Sequence, residues 1–250
     1  MLPESLLVFI SALSVASAGP IWRRCANTTD AVTPTLPNTG AAKELASPFG
    51  LTLKHITVGH GIQNYSCSAV NVTATSAGAL AVLYDVTSLY PGSSTNALST
   101  EVWHQLPVDM LRTTDIPLNL VGNAVNQYAA NTSGPFAGDA NTTVNGLTLP
   151  LAGHHYFDAT LVPTFNLYKT GEMLVSAKLD GIKAPTGADP GLLRTGAVDW
   201  LELGDKGLGT SVGLTQVYRV STAGGSPVRC SSVGETFSVP YAAMYWFYAK

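Results

Sequence analysis

The sequence has few charged residues and no basic run, and these absences exclude several classes of partner. Asp, Glu, Lys and Arg make up 12% of the 250 residues, and the formal net charge is −3 at pH 7. Binding to nucleic acid or to an anionic membrane surface through charge needs clustered Lys and Arg. No such cluster exists, so we predict no nucleic-acid partner. Beyond its first residues the chain also lacks an apolar stretch long enough to span a bilayer, so we predict no membrane span.

Common metal-binding motifs are missing as well. There is no HExxH sequence and no cysteine cluster. The pairs His55/His60 and His154/His155 are spaced so that, in straight strands, the two members of each pair point to opposite faces. A bulge at Gly59 would be needed to bring the first pair together. We therefore predict no metal site and no cofactor.

Cysteine is scarce, with Cys25, Cys67 and Cys230 only. In an oxidising compartment at least one disulfide is expected, and one thiol is left over. Cys67 and Cys230 both lie at the ends of strand-like segments, whereas Cys25 lies in a segment rich in Pro and Thr. We predict a Cys67–Cys230 disulfide.

The first 18 residues have the pattern of a secretory signal peptide. Leu6–Val15 is an apolar run too short to cross a bilayer, and Ala16-Ser17-Ala18 supplies a small-residue cleavage site. A membrane anchor is the alternative interpretation. Five Asn-X-Ser/Thr sequons predict a secreted, extracellular glycoprotein. They are Asn27, Asn64, Asn71, Asn131 and Asn141.

Patterning predicts a mainly β fold. Residues 19–50 form a Pro/Thr-rich leader with one short helical possibility at Ala41–Ala46. Residues 51–250 form one domain of strand-like segments separated by Gly, Pro and Asp turns, which is typical of a β-sandwich or β-barrel. We expect Gly59-His60-Gly61 to break or bulge the first strand.

An insertion of about residues 89–147 interrupts this pattern. Its first half has helix-like apolar spacing between Asn96 and Val121, and Pro107 is expected to interrupt or kink that helix. Its second half is polar and carries two of the sequons.

Glycines near the C-terminal third resemble two functional fingerprints but lack their context. Gly207–Gly213 approximates a dinucleotide-binding pattern, yet the residues that follow alternate as a strand instead of opening a helix. The same segment contains a G-x-S-x-G match at Ser211, but every histidine precedes it in the chain. A catalytic triad could still form if its residues followed the chain order His–Asp–Ser, as His154, Asp199 and Ser211 do. A hairpin turn at Gly204–Gly209 explains the glycines better.

Five segments together resemble a fungal and bacterial family of secreted proteins of unknown function, whose fungal members are often labelled malate dehydrogenase. The segments are GHGIQNYSC, AVLYD, HYFD with PTF, GAVDWLELGDKGLGTSVGLTQVYRVSTAGGSPVRC and VPYAAMYWFY. The resemblance implies a single extracellular β-rich domain with its cysteines at Cys67 and Cys230. The label is not carried over, because a nicotinamide enzyme needs a dinucleotide-binding βαβ unit.

The candidate catalytic residues are His154, His155, Tyr156 and Asp158. One histidine would act as a general base and Tyr156 as a donor, with Asp158 orienting the imidazole. The alternative is a strand whose aromatic face packs the core.

The candidate binding residues are Gln63, Tyr65, Trp200 and Arg219. Arg219 is expected to pair with a carboxylate such as Asp199 or Glu202. Trp200 belongs to an aromatic set that would serve either core packing or ligand stacking. The other members of that set are Tyr241, Tyr245 and Trp246.

Three hypotheses follow for function. The leading one is an extracellular or cell-wall-associated protein that binds a glycan or a small ligand. The second is a cofactor-independent enzyme, such as a hydrolase, isomerase or cyclase, with a His/Tyr/Asp pocket in the mouth of the barrel or sandwich. The third is a structural or host-interaction protein without a pocket.

Overall fold

The computed structural model describes residues 32–250. The predicted signal peptide, Cys25 and the Asn27 sequon lie outside the described residues. Within residues 32–250 no helix is both long and apolar enough to cross a membrane.

Eight strands close into a barrel, and each is hydrogen-bonded to two antiparallel neighbours. A mainly β single domain is therefore confirmed, and of the two predicted forms it is the barrel. The barrel strands are β1 (Thr52–Ser66), β2 (Thr75–Asp85), β5 (Leu151–Phe157), β6 (Pro163–Leu167), β7 (Glu172–Ile182), β8 (Trp200–Asp205), β9 (Gln216–Gly224) and β10 (Thr236–Ala249). Neighbours in the barrel follow chain order, and β1 closes the circle by pairing with β10.

The first strand is continuous, so the predicted break at Gly59-His60-Gly61 is wrong. β1 runs without interruption from Thr52 to Ser66. The glycines are needed for close approach and not for a turn. A Cβ at Gly59 would lie 2.6 Å from the ring of Tyr245, and one at Gly61 would lie 1.9 Å from the carbonyl oxygen of Leu80.

The connection between β2 and β5 holds the only α-helix of residues 32–250, α1 (Thr100–Thr113), preceded by a short 3-10 helix (Thr87–Leu89). The Ser99 side chain caps α1 by accepting the Val102 backbone N–H at 3.3 Å. The helix continues through Pro107, so the expected interruption does not occur. Pro107 is buried with its neighbours Leu106 and Met110, and this packing offsets the missing backbone hydrogen bond.

A second hydrophobic core lies outside the barrel. α1, the hairpin of β3 (Thr142–Val144) and β4 (Leu147–Leu149), and the outward side chains of β1, β2, β9 and β10 bury one another. The β3–β4 turn has Asn145 and Gly146 at positive φ, as the Asn-Gly pair of a type I′ turn requires.

Residues 32–50 lie against this outer layer without forming a helix or strand. Leu36 and Leu45 pack on the outer core. The predicted short helix at Ala41–Ala46 is absent, because the Glu44 carboxylate accepts the backbone N–H groups of Thr39 and Ala41 in a bend.

The barrel interior is filled by side chains. Tyr241, Tyr245 and Phe247 of β10 pack against Phe165 of β6 on the inner surface. An eight-stranded barrel is just wide enough for such filling. The two ends of the barrel are therefore the places where its strands and loops can form a site.

The ends differ. At one end, Cys67 follows β1 and Cys230 precedes β10, and the two form the predicted disulfide. We refer to it as the disulfide end. The opposite end is closed by a side-chain cluster of His55, Asp85 and Glu172, and we refer to it as the clasp end.

Candidate functional site

The four candidate catalytic residues do not converge. His155 points into the barrel, where it stacks on Phe165 at 4.1 Å between ring centroids. The preceding residue, His154, points outward and stacks on Phe136, with 3.7 Å between the ring centroids. Tyr156 also lies on the outer side, since strand residues alternate between faces. A catalytic role for these residues remains a prediction, and the barrel wall separates His155 from the others.

Asp158 has a structural task in the β5–β6 turn. Its carboxylate accepts the backbone N–H groups of Thr160 and Val162 at 2.8 and 3.0 Å. These hydrogen bonds lower the pKa of Asp158. It does not contact either histidine of the pair, so it does not orient an imidazole here.

His155 is held as a neutral imidazole. Its Nδ1 lies 3.0 Å from the carbonyl oxygen of Thr164, so Nδ1 carries the proton and donates it. Burial lowers the pKa of His155 to about 3. Such a group neither gains nor loses a proton readily near neutral pH.

Gln63 and Arg219 also belong to the barrel interior. Arg219 pairs in register with Tyr245, whose hydroxyl lies 2.8 Å from that of Tyr241. The Arg219 guanidinium donates to the backbone carbonyl of Asp199 at 2.9 and 3.2 Å. The predicted carboxylate partner is wrong, because the Asp199 carboxylate pairs with Lys183 instead.

The other predicted binding residues are separated from each other. Tyr65 lies at the disulfide end and donates its hydroxyl proton to the Gly225 carbonyl at 2.6 Å. Trp200 lies on the outer wall beneath residues 33–51. Tyr241, Tyr245 and Trp246 are all buried. Core packing, one of the two interpretations of the aromatic set, is what the structure shows.

The glycine-rich segment forms the β8–β9 connection. No helix follows Gly207–Gly213, so no helix N-terminus is available for a pyrophosphate. Ser211 donates to the Asp205 carboxylate at the clasp end. Asp199 precedes β8 at the opposite end, so a His154–Asp199–Ser211 triad cannot assemble.

Sequence reasoning missed the cluster at the clasp end. Nδ1 of His55 lies 3.4 Å from the Asp85 carboxylate, and Nε2 lies 2.5 Å from the Glu172 carboxylate. The hydrogen bonds to Asp85 and Glu172 raise the pKa of His55 against its partial burial. β1 and β7 stand on opposite sides of the barrel, so this ionic clasp bridges the mouth. Sequence separations of 30 and 117 residues leave no motif from which to find it.

The members of the two histidine pairs, His55/His60 and His154/His155, stay apart. His55 belongs to the clasp, while His60 points to the outer core, and Thr114 is its hydrogen-bonding neighbour at 3.2 Å. Burial lowers the pKa of His60 to about 4. Among residues 32–250, no three His, Cys, Asp or Glu side chains form a group that could hold a metal ion.

A cavity lies at the disulfide end, on the outside of the barrel. The loop of residues 119–136 arches over the ends of β1, β2, β5 and β10 and leaves a cavity of about 620 Å³, which we name the end cleft. Its ring-bearing walls come from Phe136, Tyr156, Phe157 and Phe237. Tyr65 also lines the cleft, and its ring stacks on Phe237 at 5.5 Å.

The polar lining of the end cleft consists of amides and hydroxyls. Asn64, Asn126 and Asn131 line it together with Ser238. No Asp, Glu, Lys, Arg or His side chain belongs to the lining. The cleft therefore offers aromatic faces and neutral hydrogen-bonding groups, which suit a neutral ligand.

Two of the predicted binding-site and catalytic residues, Tyr65 and Tyr156, meet in this cleft, and two of the sequons border it. Asn64 is half-buried in β1, whereas Asn131 is exposed on the loop. The sequence had suggested Tyr65 as a binding residue and Tyr156 as a catalytic residue, in separate hypotheses. The loop that joins them has no regular pattern from which its position could be found.

The chain matches the sequence model of one protein family. Residues 48–249 match the family described as "Protein of unknown function (DUF3455)". The chain belongs to this family, an uncharacterised one whose match covers the whole barrel. Searches of curated proteins and of solved structures found no match.

Proposed function

We propose that this protein is a secreted binding protein that takes a neutral glycan or small aromatic ligand in the end cleft. One observation carries the proposal, namely the cavity of about 620 Å³ lined by aromatic rings, amides and hydroxyls without a charged side chain. Small-ligand sites are typically clefts of about 300–1,000 Å³ with mostly apolar walls and a few polar groups. An ionised ligand would lose hydration in such a site without gaining a charged partner.

The walls of the end cleft are rigid enough to select a shape. Phe136 is fixed by its stack on His154, and Phe237 by its stack on Tyr65. Fixed aromatic rings bind a sugar or aryl face at little cost in side-chain entropy.

Secretion and glycosylation are part of the same proposal. The first 18 residues have the pattern of a signal peptide. A structural disulfide between Cys67 and Cys230 favours an oxidising compartment. Of the sequons in the described part of the chain, Asn71, Asn131 and Asn141 are exposed. An extracellular or cell-wall location would bring the cleft into contact with glycans.

Binding accounts for this geometry better than the alternative of a cofactor-independent hydrolase, isomerase or cyclase. The ionisable candidates His155 and Arg219 lie in a filled barrel interior. The end cleft has no side chain that would act as a general base near neutral pH.

The test is to fill the cleft. Ala130 lines it, and the substitution Ala130→Trp places an indole in the opening. Ala137 is exposed on the same loop outside the lining, so Ala137→Trp is the matched control. Wild type and both variants are titrated by calorimetry with neutral chitin and glucan oligosaccharides and a panel of neutral aromatic compounds. We expect a ligand that binds wild type and Ala137→Trp but not Ala130→Trp. Absence of any binder, or binding that survives Ala130→Trp, would contradict the proposal.

A further inference from the structure

The amide side chains of the end cleft are oriented by the protein itself. Oδ1 of Asn126 accepts the backbone N–H of Ser238 at 3.0 Å, and Oδ1 of Asn131 accepts that of Ser133 at 3.0 Å. A backbone N–H can only donate, so each contacting atom must be the amide oxygen. The Nδ2 groups of these two asparagines therefore point away from those contacts.

A third amide has the same arrangement. The hydroxyl of Ser238 lies 2.8 Å from Oδ1 of Asn64 and donates to it. Ser238 thus connects both neighbouring asparagines, through its backbone to Asn126 and through its side chain to Asn64. Asn64 and Asn126 are half-buried, so their orientation is not left to bulk water.

The hydrogen-bonding capacity that remains on the asparagine side chains of the cleft is that of donors. All three amide oxygens are engaged within the protein, whereas the Nδ2 groups of Asn64, Asn126 and Asn131 find no acceptor among residues 32–250. The Tyr156 hydroxyl, which also lines the cleft, has no partner within that range either. Each Nδ2 carries two N–H donors and no acceptor.

The unpaired N–H donors of these asparagines favour some neutral ligands over others. We propose that the end cleft recognises a neutral molecule that presents a carbonyl oxygen to the N–H groups of Asn64 and Asn126 while an apolar or aromatic ring lies against Phe136, Phe157 and Phe237. A carbonyl oxygen has two lone pairs and no hydrogen, and matches the asparagine Nδ2 groups, which can only donate. A ligand hydroxyl placed against these Nδ2 groups would bring a donor that they cannot accept, and an unpaired donor lowers affinity. This inference rests on the proposed function and names the class of its ligand.

Two sources share this chemistry, an acetamido sugar and an aromatic ketone or amide. Each has a matched partner without the carbonyl. N,N′,N″-triacetylchitotriose is compared with cellotriose, which has hydroxyls in place of the acetamides. Acetophenone is compared with 1-phenylethanol. If the carbonyl compound of one pair binds more tightly than its hydroxyl partner, that pair shows whether the ligand is an acetamido sugar or an aromatic carbonyl compound.

The closing experiment combines these pairs with a substitution that removes the donor and keeps the oxygen, and with a control variant that carries the same added charge. Asn126→Asp keeps an oxygen for the Ser238 N–H and replaces Nδ2 by a second oxygen. Asn123→Asp is the matched control, because Asn123 lies in the same loop, accepts backbone N–H groups through Oδ1 and does not line the cleft. The protein is produced in an oxidising bacterial periplasm, so that the disulfide forms and Asn64 and Asn131 stay unglycosylated. Affinities are measured by calorimetry, and folding is checked by thermal unfolding.

We expect one carbonyl ligand to bind wild type and Asn123→Asp about tenfold more tightly than its hydroxyl partner, the factor that corresponds to one hydrogen bond. Asn126→Asp should remove this preference and weaken binding of the carbonyl ligand by about tenfold or more. Should Asn126→Asp fail to fold, Asn64→Asp, which keeps an oxygen for the Ser238 hydroxyl, makes the same test.

Other outcomes separate the two proposals. Equal affinity for the members of each pair, or an unchanged affinity in Asn126→Asp, would overturn the carbonyl assignment and leave cleft binding intact. Binding of none of the four compounds and of no other neutral ligand, or binding unaffected by Ala130→Trp, would overturn the proposed function itself.

Discussion

The barrel interior and the end cleft are both lined by aromatic rings, yet the interior is filled by side chains and the cleft is open. Inside, His155 donates to the Thr164 carbonyl and Tyr241 pairs with Tyr245, and the space is filled. In the cleft, the amide oxygens of Asn64 and Asn126 are engaged while their Nδ2 groups find no acceptor among residues 32–250. Aromatic content alone therefore does not mark a binding site. The useful mark is hydrogen-bonding capacity that the protein leaves unused beside a cavity.

Removing a ring from the interior should have the largest effect. Phe165 is 1% exposed and contacts His155, Tyr245 and Phe247. Phe165→Ala should lower the free energy of unfolding by about 3–5 kcal/mol, because it leaves a cavity in the barrel. Urea unfolding measures this. The control Phe49→Ala, at a side chain 95% exposed, should change stability by about 0.5 kcal/mol or less. Similar losses in the two variants would contradict a packed interior.

The neutral buried histidines should make the barrel sensitive to acid. The pKa values of His155 and His60 are about 3 and about 4 in the folded state, below the ordinary value of about 6.5 in the unfolded chain. Between pH 6.5 and about 4 the unfolded state therefore binds protons that the native state does not. Each histidine should remove up to about 1.4 kcal/mol of stability per pH unit as pH falls through this window. Unfolding curves at pH 7, 6 and 5 measure the slope.

Substitutions of single histidines show which of them cause this dependence of stability on pH. His155→Gln should reduce it, while the exposed His104→Gln should leave it unchanged. The ionic clasp acts in the opposite sense, because the raised pKa of His55 gives stability that is present below about pH 6.5 and lost as pH rises through the folded pKa. His55→Gln should therefore lower stability relative to wild type by more at pH 6 than at a pH above the folded pKa, and should leave the slope below about pH 6 unchanged. A slope that is the same in His155→Gln and wild type would contradict a neutral interior histidine.

The rim of the cleft should tolerate a stabilising change that the interior would not. Leu161 lines the cleft with φ at +59° and 61% of its surface exposed. A left-handed backbone disfavours leucine by about 1–2 kcal/mol, and asparagine accepts it more readily. Leu161→Asn should raise the free energy of unfolding by about 1 kcal/mol and weaken binding of an apolar ligand. Thermal unfolding and calorimetry measure the two effects. A loss of stability would show that Leu161 supports the fold and not the rim.

Glycosylation at the rim should have the smallest effect on stability. In protein secreted from a eukaryotic host, Asn131→Gln should reduce the mass by one N-glycan and change stability by about 0.5 kcal/mol or less, since the site is exposed. Because Asn131 lines the cleft, affinity for the ligand should change together with the mass. Asn141→Gln, at an exposed sequon outside the lining, is the control for both. An unchanged mass in Asn131→Gln would show that this sequon is unused.

Local patterns predicted most of the framework. Alternating or apolar strand-like segments, separated by Gly, Pro and Asp turns, identified the regions that became the barrel strands, and helix-like spacing identified α1. The ends of strand-like segments identified the Cys67–Cys230 disulfide. Errors occurred where the reason for a residue is not local. Gly59 and Gly61 were interpreted as a break, but they make room for Tyr245 and for the Leu80 carbonyl across the barrel.

The candidate site was only partly predictable for the same reason. The alternation of His154 and His155 correctly placed them on opposite faces, but it could not tell that the inner face is filled. Asp85 and Glu172 have no sequence relation to His55, and they meet it only because the barrel closes. The cleft depends on the loop of residues 119–136, whose irregular sequence does not indicate where it lies.

The sequence by itself determined the strands, the helix, the disulfide pair and the faces on which side chains lie, because these follow from short-range periodicity and residue chemistry. Tertiary structure alone decided that the sheet closes into a filled barrel, that Arg219 bonds a backbone carbonyl, and that three asparagines line one cleft. These features depend on contacts between residues far apart in the chain, for which no local pattern exists.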